Sequence, residues 1–185
     1  MRHNFQACYD FMLHDLEGGY QLHHNSGEAT HTYAGIYRAA HPDWLGWLYI
    51  DAKEPVPECL VLEFYEIEFW DKISGDELPN GLDLLVFCMA VNSGVHNASV
   101  LLQKVLGSFP DGIIGSKTLA LANMYTLQNT TEAIVAEKLM DYTVECLYYY
   151  DAVVENKPEK DINLGGWRNR LVKVDREAIK CVVPF

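Results

Sequence analysis

Between positions 3 and 17 the apolar residues fall at Phe5, Cys8, Tyr9, Met12, Leu13 and Leu16, steps of three and four that mark one helix face. Gly18-Gly19 ends that helix, because glycine enters the left-handed C-cap conformation at low cost. Residues 20–35 lose the periodicity, interrupted by Asn25, Ser26, Gly27 and Gly35, and read as loop. Ile36-Tyr37-Arg38-Ala39-Ala40 reads as a short helix or turn closed by His41-Pro42. Pro57 suits the first turn of a helix over 58–70 that turns Leu60, Val61, Phe64, Tyr65 and Ile67 toward a core. Leu82 to Val91 is almost wholly apolar, which at this length favours a buried central helix over a buried strand.

Val95–Leu106 and Lys117–Tyr125 read as two further helices separated by Phe109-Pro110-Asp111-Gly112. Thr130 or Thr131 is placed to cap a long helix over 132–150, and Gly165–Leu171 reads as a final turn and helix. The pattern predicts a mainly α protein of one compact domain or two small ones packed closely, with no internal repeat.

Composition and charge narrow the function. Apolar residues make up 49% of the 185, enough for a real core, and no run approaches the length that spans a bilayer. The formal net charge of −12 leaves no basic stripe to neutralise phosphates, which excludes nucleic acid as a partner. The N-terminal residues show no apolar stretch of signal-peptide type, so cytoplasmic synthesis is expected. Five scattered cysteines, Cys8, Cys59, Cys88, Cys146 and Cys181, form no Cys-x-x-Cys pair and are expected as buried free thiols.

One carboxylate stands out. Glu17 closes the first helix beside two glycines, where the partial negative charge of the helix end disfavours a second negative charge. Flanking Leu16 and Tyr20 would desolvate it further, and a carboxyl that keeps its proton is what protonation of a glycosidic oxygen requires. Taken alone, a glutamate before a C-cap glycine is more often a solvated surface residue.

The surrounding residues carry a family resemblance. His14-Asp15-Leu16-Glu17-Gly18-Gly19-Tyr20, Gly35-Ile36, Pro42-Asp43-Trp44-Leu45-Gly46-Trp47, Phe69-Trp70-Asp71 and Ala90-Val91-Asn92-Ser93-Gly94 follow one another in order. Gln103-Lys104-Val105-Leu106-Gly107 and Asp111–Thr118 complete the series. Together they resemble glycoside hydrolase family 108, the secretion-activator family of the lysozyme-like superfamily, with the peptidoglycan-binding segment found downstream in it. The resemblance implies an N-acetylmuramidase cleaving the β-1,4 bond between N-acetylmuramic acid and N-acetylglucosamine, with Glu17 as general acid. It implies a lysozyme-like catalytic region over 1–93 and a helical peptidoglycan-binding-like region over 94–185.

Related phage lysozymes place an aspartate nine residues after this glutamate, where the present chain has Ser26. Glu28 is the nearest substitute for the second acid and Asp51 a more distant one; Ser26 or Thr32 positioning water in a one-acid mechanism is a further option. Thr30 and Thr32 both fall where the family's loop threonine lies. Tyr20, Ser26, Thr30, Tyr33 and Asn92 are the candidate substrate contacts, with Trp44 and Trp47 as additional stacking platforms; the plain alternative for the aromatics is core packing. Asn92 either caps its helix or directs an amide at substrate.

Two other classes stay open. A non-catalytic peptidoglycan-binding or secretion-accessory protein that keeps the fold is favoured by Ser26. A metal-dependent peptidase would use His23, His24, Glu28 and His31, whose spacing matches no metal-binding helix motif. No cofactor and no metal are expected. The expected partners are peptidoglycan strands and, for export, a holin or secretion apparatus, with a monomeric protein acting at the cell wall after export or lysis.

Overall fold

The computed structural model describes residues 4–24, 29–124 and 132–182, and the chain packs as two compact units, Arg2–Glu68 and Phe69–Phe185. The architecture is mainly α, with eight α-helices and one small sheet among the described residues.

In the first unit, α1 (Phe5–Phe11) runs directly into a wider π-type turn, Met12–Leu16. The apolar face read from the sequence is the buried one: Phe5, Cys8, Tyr9, Met12 and Leu13 line the core. Where a loop was expected over 20–35, three short strands form an antiparallel sheet: β1 (Leu22–His23), β2 (Thr32–Tyr33) and β3 (Ile36–Tyr37). Ile36-Tyr37 is therefore strand rather than helix, because its backbone pairs with β2 (Thr32 opposite Tyr37, Tyr33 opposite Ile36). Strands of two residues leave almost no alternation in the sequence to read.

Two helices complete this unit, α2 (Gly46–Ala52) and α3 (Glu58–Tyr65). Val61, Phe64 and Tyr65 are buried on α3 as expected, but Ile67 is exposed. The reason is geometric: α3 continues into a second π-type turn, Glu66–Trp70, whose wider winding breaks the 3.6-residue phase that would have turned Ile67 inward. The two tryptophans brace the α2 corner. Trp47 is buried and donates from Nε1 to the His41 carbonyl at 2.8 Å, while Trp44 donates to the Leu60 carbonyl at 3.1 Å and lies over Gly46.

The second unit is built on α4 (Leu82–Ser93), every residue of which from Leu82 to Ala90 is buried. It packs against α5 (Val95–Leu106), α7 (Glu132–Asn156) and α8 (Asp161–Val182), while α6 (Ser116–Met124) packs on α5. A helix apolar all round must be covered all round, which is why the continuous run 82–91 lies at the centre. α7 and α8 are both longer than the pattern suggested. Gly165 and Gly166 sit inside α8 with open space around them rather than before its start. The proposed caps Thr130 and Thr131 lie outside the described residues.

The Asp111–Gly115 turn is a structural device, held by one buried side chain. Gln103 of α5, 1% exposed, donates from Nε2 to Asp111 Oδ1 (2.7 Å) and to the Ile113 carbonyl (3.0 Å), while its Oε1 accepts the Gly112 N–H (2.8 Å). Truncating Gln103 strands several buried polar groups at once. Gln103→Ala is expected to destabilise the protein by about 2–3 kcal/mol in urea unfolding, against under about 0.5 kcal/mol for the exposed neighbour Lys104→Ala.

All five thiols are free, but only Cys8, Cys88 and Cys146 are buried; Cys59 and Cys181 are exposed, because each falls on the outer side of its helix. Burial pushes the Cys146 thiol up to about 12, while partial desolvation with the nearby Asp83 and Glu177 carboxylates raises that of Cys181. A thiol-reactive disulfide reagent at about pH 8 is expected to modify Cys59 first and Cys181 more slowly, leaving the other three until the protein is unfolded.

Candidate active site

Glu17 follows the π-type turn and donates its own N–H to the Met12 carbonyl five residues back, at 3.1 Å. Such a turn shifts the next residue around the helix axis relative to α-helical phasing, and turns of this kind are frequent at functional sites. Gly18 then takes a left-handed φ of 80°, and the Gly19 N–H reaches the Leu13 carbonyl at 2.8 Å, closing the helix end. The result is a half-buried glutamate held at a sharp exit from the helix.

What faces that glutamate is the tip of the β2–β3 hairpin. Its two turn residues, Ala34 and Gly35, both have positive φ (49° and 80°), the signature of a tight hairpin turn whose twist matches the strands. The turn is anchored by Tyr65 of α3, whose hydroxyl donates to the Ala34 carbonyl at 2.8 Å in the interior. A Cβ at Gly35 would lie 2.7 Å from Glu17 Oε2 and 2.4 Å from the Tyr65 hydroxyl oxygen. The Glu17 carboxyl and the Tyr65 hydroxyl therefore both lie against the bare backbone of Gly35. Sequence reasoning marked Gly35 without a role and missed Tyr65; a lone glycine before an apolar strand was the available signal.

The other candidates divide clearly. Tyr20 is half-buried and its hydroxyl lies 3.1 Å from that of Tyr9, whose own ionisation burial strongly suppresses. Tyr33 stacks on Trp44, with ring centroids 6.1 Å apart and planes 26° apart. Thr32 is buried within β2. The Thr30 hydroxyl oxygen is also buried and has no hydrogen-bond partner among the described residues. Ser26 and Glu28 lie outside the described residues. Asn92 belongs to the second unit, where its amide donates to the Tyr150 hydroxyl at 2.9 Å.

Asp51 has a structural employment. Both its carboxylate oxygens accept from the Arg38 guanidinium at 2.7 Å, and this pairing holds the Asp51 carboxyl below the usual carboxylate range. The Arg38 guanidinium in turn lies 5.2 Å from the centre of the Trp47 ring, a cation–π contact. Of the histidines raised as metal ligands, His24 and His31 meet edge to face with ring centres 5.4 Å apart. Among the described residues, no three His, Cys, Asp or Glu side chains gather as a metal would need. No described helix is long and apolar enough to cross a membrane.

Glycine at position 35 is thus required twice, by backbone and by space. Gly35→Ala is expected to lower stability by about 1–3 kcal/mol more than Gly18→Ala in chemical denaturation. Gly18 shares the positive φ but has open space around it, so its replacement costs only the left-handed backbone term of about 1–2 kcal/mol.

Comparison with known proteins finds two family models along the chain. A family model described as glycosyl hydrolase 108 matches residues 11–94, and one described as predicted peptidoglycan domain matches residues 97–172. The chain is also similar to the solved structure of Brucella abortus SagA, at 25% identity and a TM-score of 0.68, covering 98% of this chain and 97% of that one. No curated protein matches the sequence.

Proposed function

We propose, from the match to the glycosyl hydrolase 108 model over 11–94 and to the predicted peptidoglycan domain model over 97–172, that the chain is an N-acetylmuramidase with Glu17 as general acid. The bond cleaved is the β-1,4 link between N-acetylmuramic acid and N-acetylglucosamine. Catalysis is assigned to 1–93 and wall binding to 94–185. The observation that carries the reading is the placement of the Glu17 carboxyl against Gly35, beside the Tyr65 hydroxyl.

In the proposed reaction Glu17 gives its proton to the glycosidic oxygen as the C1–O bond breaks, so that the departing sugar leaves as an alcohol. The positive charge that develops at C1 needs a counter-charge or an activated water. Glu28 is assigned that role; in a one-acid mechanism Ser26 or Thr32 would instead position the water whose oxygen ends on C1. Asp51 already pairs with Arg38, which supports giving the role to Glu28. Tyr20, Thr30 and Tyr33 are assigned to substrate at the Glu17 site and Asn92 to substrate on the second unit; the buried Thr30 hydroxyl, without a partner among the described residues, supports its assignment, since a bound polar group would satisfy it. The protein is assigned to the cell wall, reached through a holin or secretion apparatus, as a monomer.

Purified peptidoglycan digested by the wild type should show new reducing ends on muramic acid. Glu17→Gln is expected to lower their release by roughly 10²–10⁴-fold with unchanged thermal stability, as for loss of a general acid. Glu28→Gln should lower it as well. If the wild type binds peptidoglycan but releases no reducing ends, the chain is a non-catalytic member that keeps the fold, the reading that Ser26 favours.

A further inference from the structure

The second unit contains a groove of its own. Two adjoining cavities of about 290 and 210 Å³ share Tyr149, Val153 and Lys160 as a common wall. One is completed by Lys157 and the other by Trp167 and Asn92. The volume suits one or two sugar or amino-acid residues rather than a long chain segment.

Its lining combines flat rings with uncommitted positive charge. Tyr149 and Trp167 are half-buried, each leaving part of its ring in the groove. Both are held by interior partners: Asn97 donates to the Tyr149 hydroxyl at 3.1 Å, and Trp167 lies on the buried Tyr150, ring centres 5.3 Å apart. Tyr150 is fixed in turn by the Asn92 amide, and burial pushes its hydroxyl up to about 12, so it stays neutral. Lys157 precedes the short turn Pro158–Lys160 and Lys160 ends it, and neither makes an ion pair among the described residues. The nearby acid Asp151 is already taken by Arg168 at 2.6 Å. Lys157 and Lys160 thus set two ammonium groups beside two pre-positioned rings, with the exposed acids Glu155, Glu159 and Asp161 on the same stretch of chain.

Resting on the reading of the chain as a peptidoglycan-acting protein, we propose that this groove binds a carboxylate-bearing saccharide–peptide. Trp167 and Tyr149 cover a sugar or peptide face, and Lys157 and Lys160 hold the carboxylate. Rings bury area at little cost in side-chain entropy, and an ammonium pair adds selectivity for an anion over a neutral sugar chain. The carboxylate can come from the peptide stem or, on muramic acid that has lost its stem, from the lactyl group, which share this chemistry.

The test uses full-length Glu17→Gln protein, so that cleavage does not deplete the probe, and measures co-sedimentation with purified sacculi. Lys157→Ala/Lys160→Ala is expected to weaken binding by about tenfold or more, and Lys157→Arg/Lys160→Arg to restore most of it. Trp167→Ala should weaken binding too, with Trp167→Phe as the milder variant should alanine disturb Tyr150. Binding of a neutral chitooligosaccharide should be weak and indifferent to the lysines. Sacculi stripped of peptide by an amidase, which frees a lactyl carboxylate at each stem removed, distinguish the two sources: lost binding assigns the stem, and binding that persists and still depends on the lysines assigns the freed lactyl carboxylate. Equal binding by the double alanine variant, or chitooligosaccharide binding as tight as that of sacculi, overturns the proposal. Hydrolysis is scored separately on wild-type protein, so a failure at Glu17 leaves the binding result standing and a failure at the groove leaves the catalytic one.

Discussion

A hydroxyl donated across the interior of the first unit, from Tyr65 to the Ala34 carbonyl, is what the candidate site hangs on. The hairpin it pins is made of strands two residues long, too short to hold a position by their own ladder. With that bond in place, the turn stands at a defined height against the end of the first helix, and only a residue without a side chain fits between them. The π-type turn on the other side does the complementary work, aiming Glu17 at the space that Gly35 leaves. Two irregularities, one in a helix and one in a turn, thus cooperate to bring a single carboxyl and a phenol to the same point. Ala34 takes its positive φ as a non-glycine residue, and its fully buried methyl offsets part of that strain.

Much of the helical frame was legible because burial writes itself into the sequence. The face from Phe5 to Leu16 and the apolar run 82–91 are both where periodicity placed them. The sheet was not legible: its strands are too short for alternation, and their pairing rests on backbone groups that every residue possesses. Ile67 misled because helical phasing was extended through a segment that does not keep it. The helix at Gly46–Ala52 went unread since its corner is set by Trp44 and Trp47 reaching carbonyls at Leu60 and His41, contacts that no local pattern encodes.

The site was partly legible for a similar reason. Glu17 could be found from its neighbours Gly18 and Gly19, all within one turn. Tyr65 could not, because it lies about fifty residues downstream and contributes one atom. Asp51 looked like a spare acid until its guanidinium partner was seen, thirteen residues away along the chain. Gln103 likewise looked like one more polar residue on a helix, yet it holds a turn closed from within.

The paired glycines inside α8 bear on how its two halves behave. Nothing packs near either one, and each weakens a helix by about 1 kcal/mol relative to alanine. The stretch beyond them is fastened by Leu171, Val174 and Ala178, which are buried, whereas the stretch before them is largely exposed. Local opening therefore costs least at the glycine step, and amide hydrogen exchange should run faster on its N-terminal side than past Leu171. A helix jointed in this way lets the exposed turn before Gly165 move while Trp167, lying on Tyr150, and the far end stay seated.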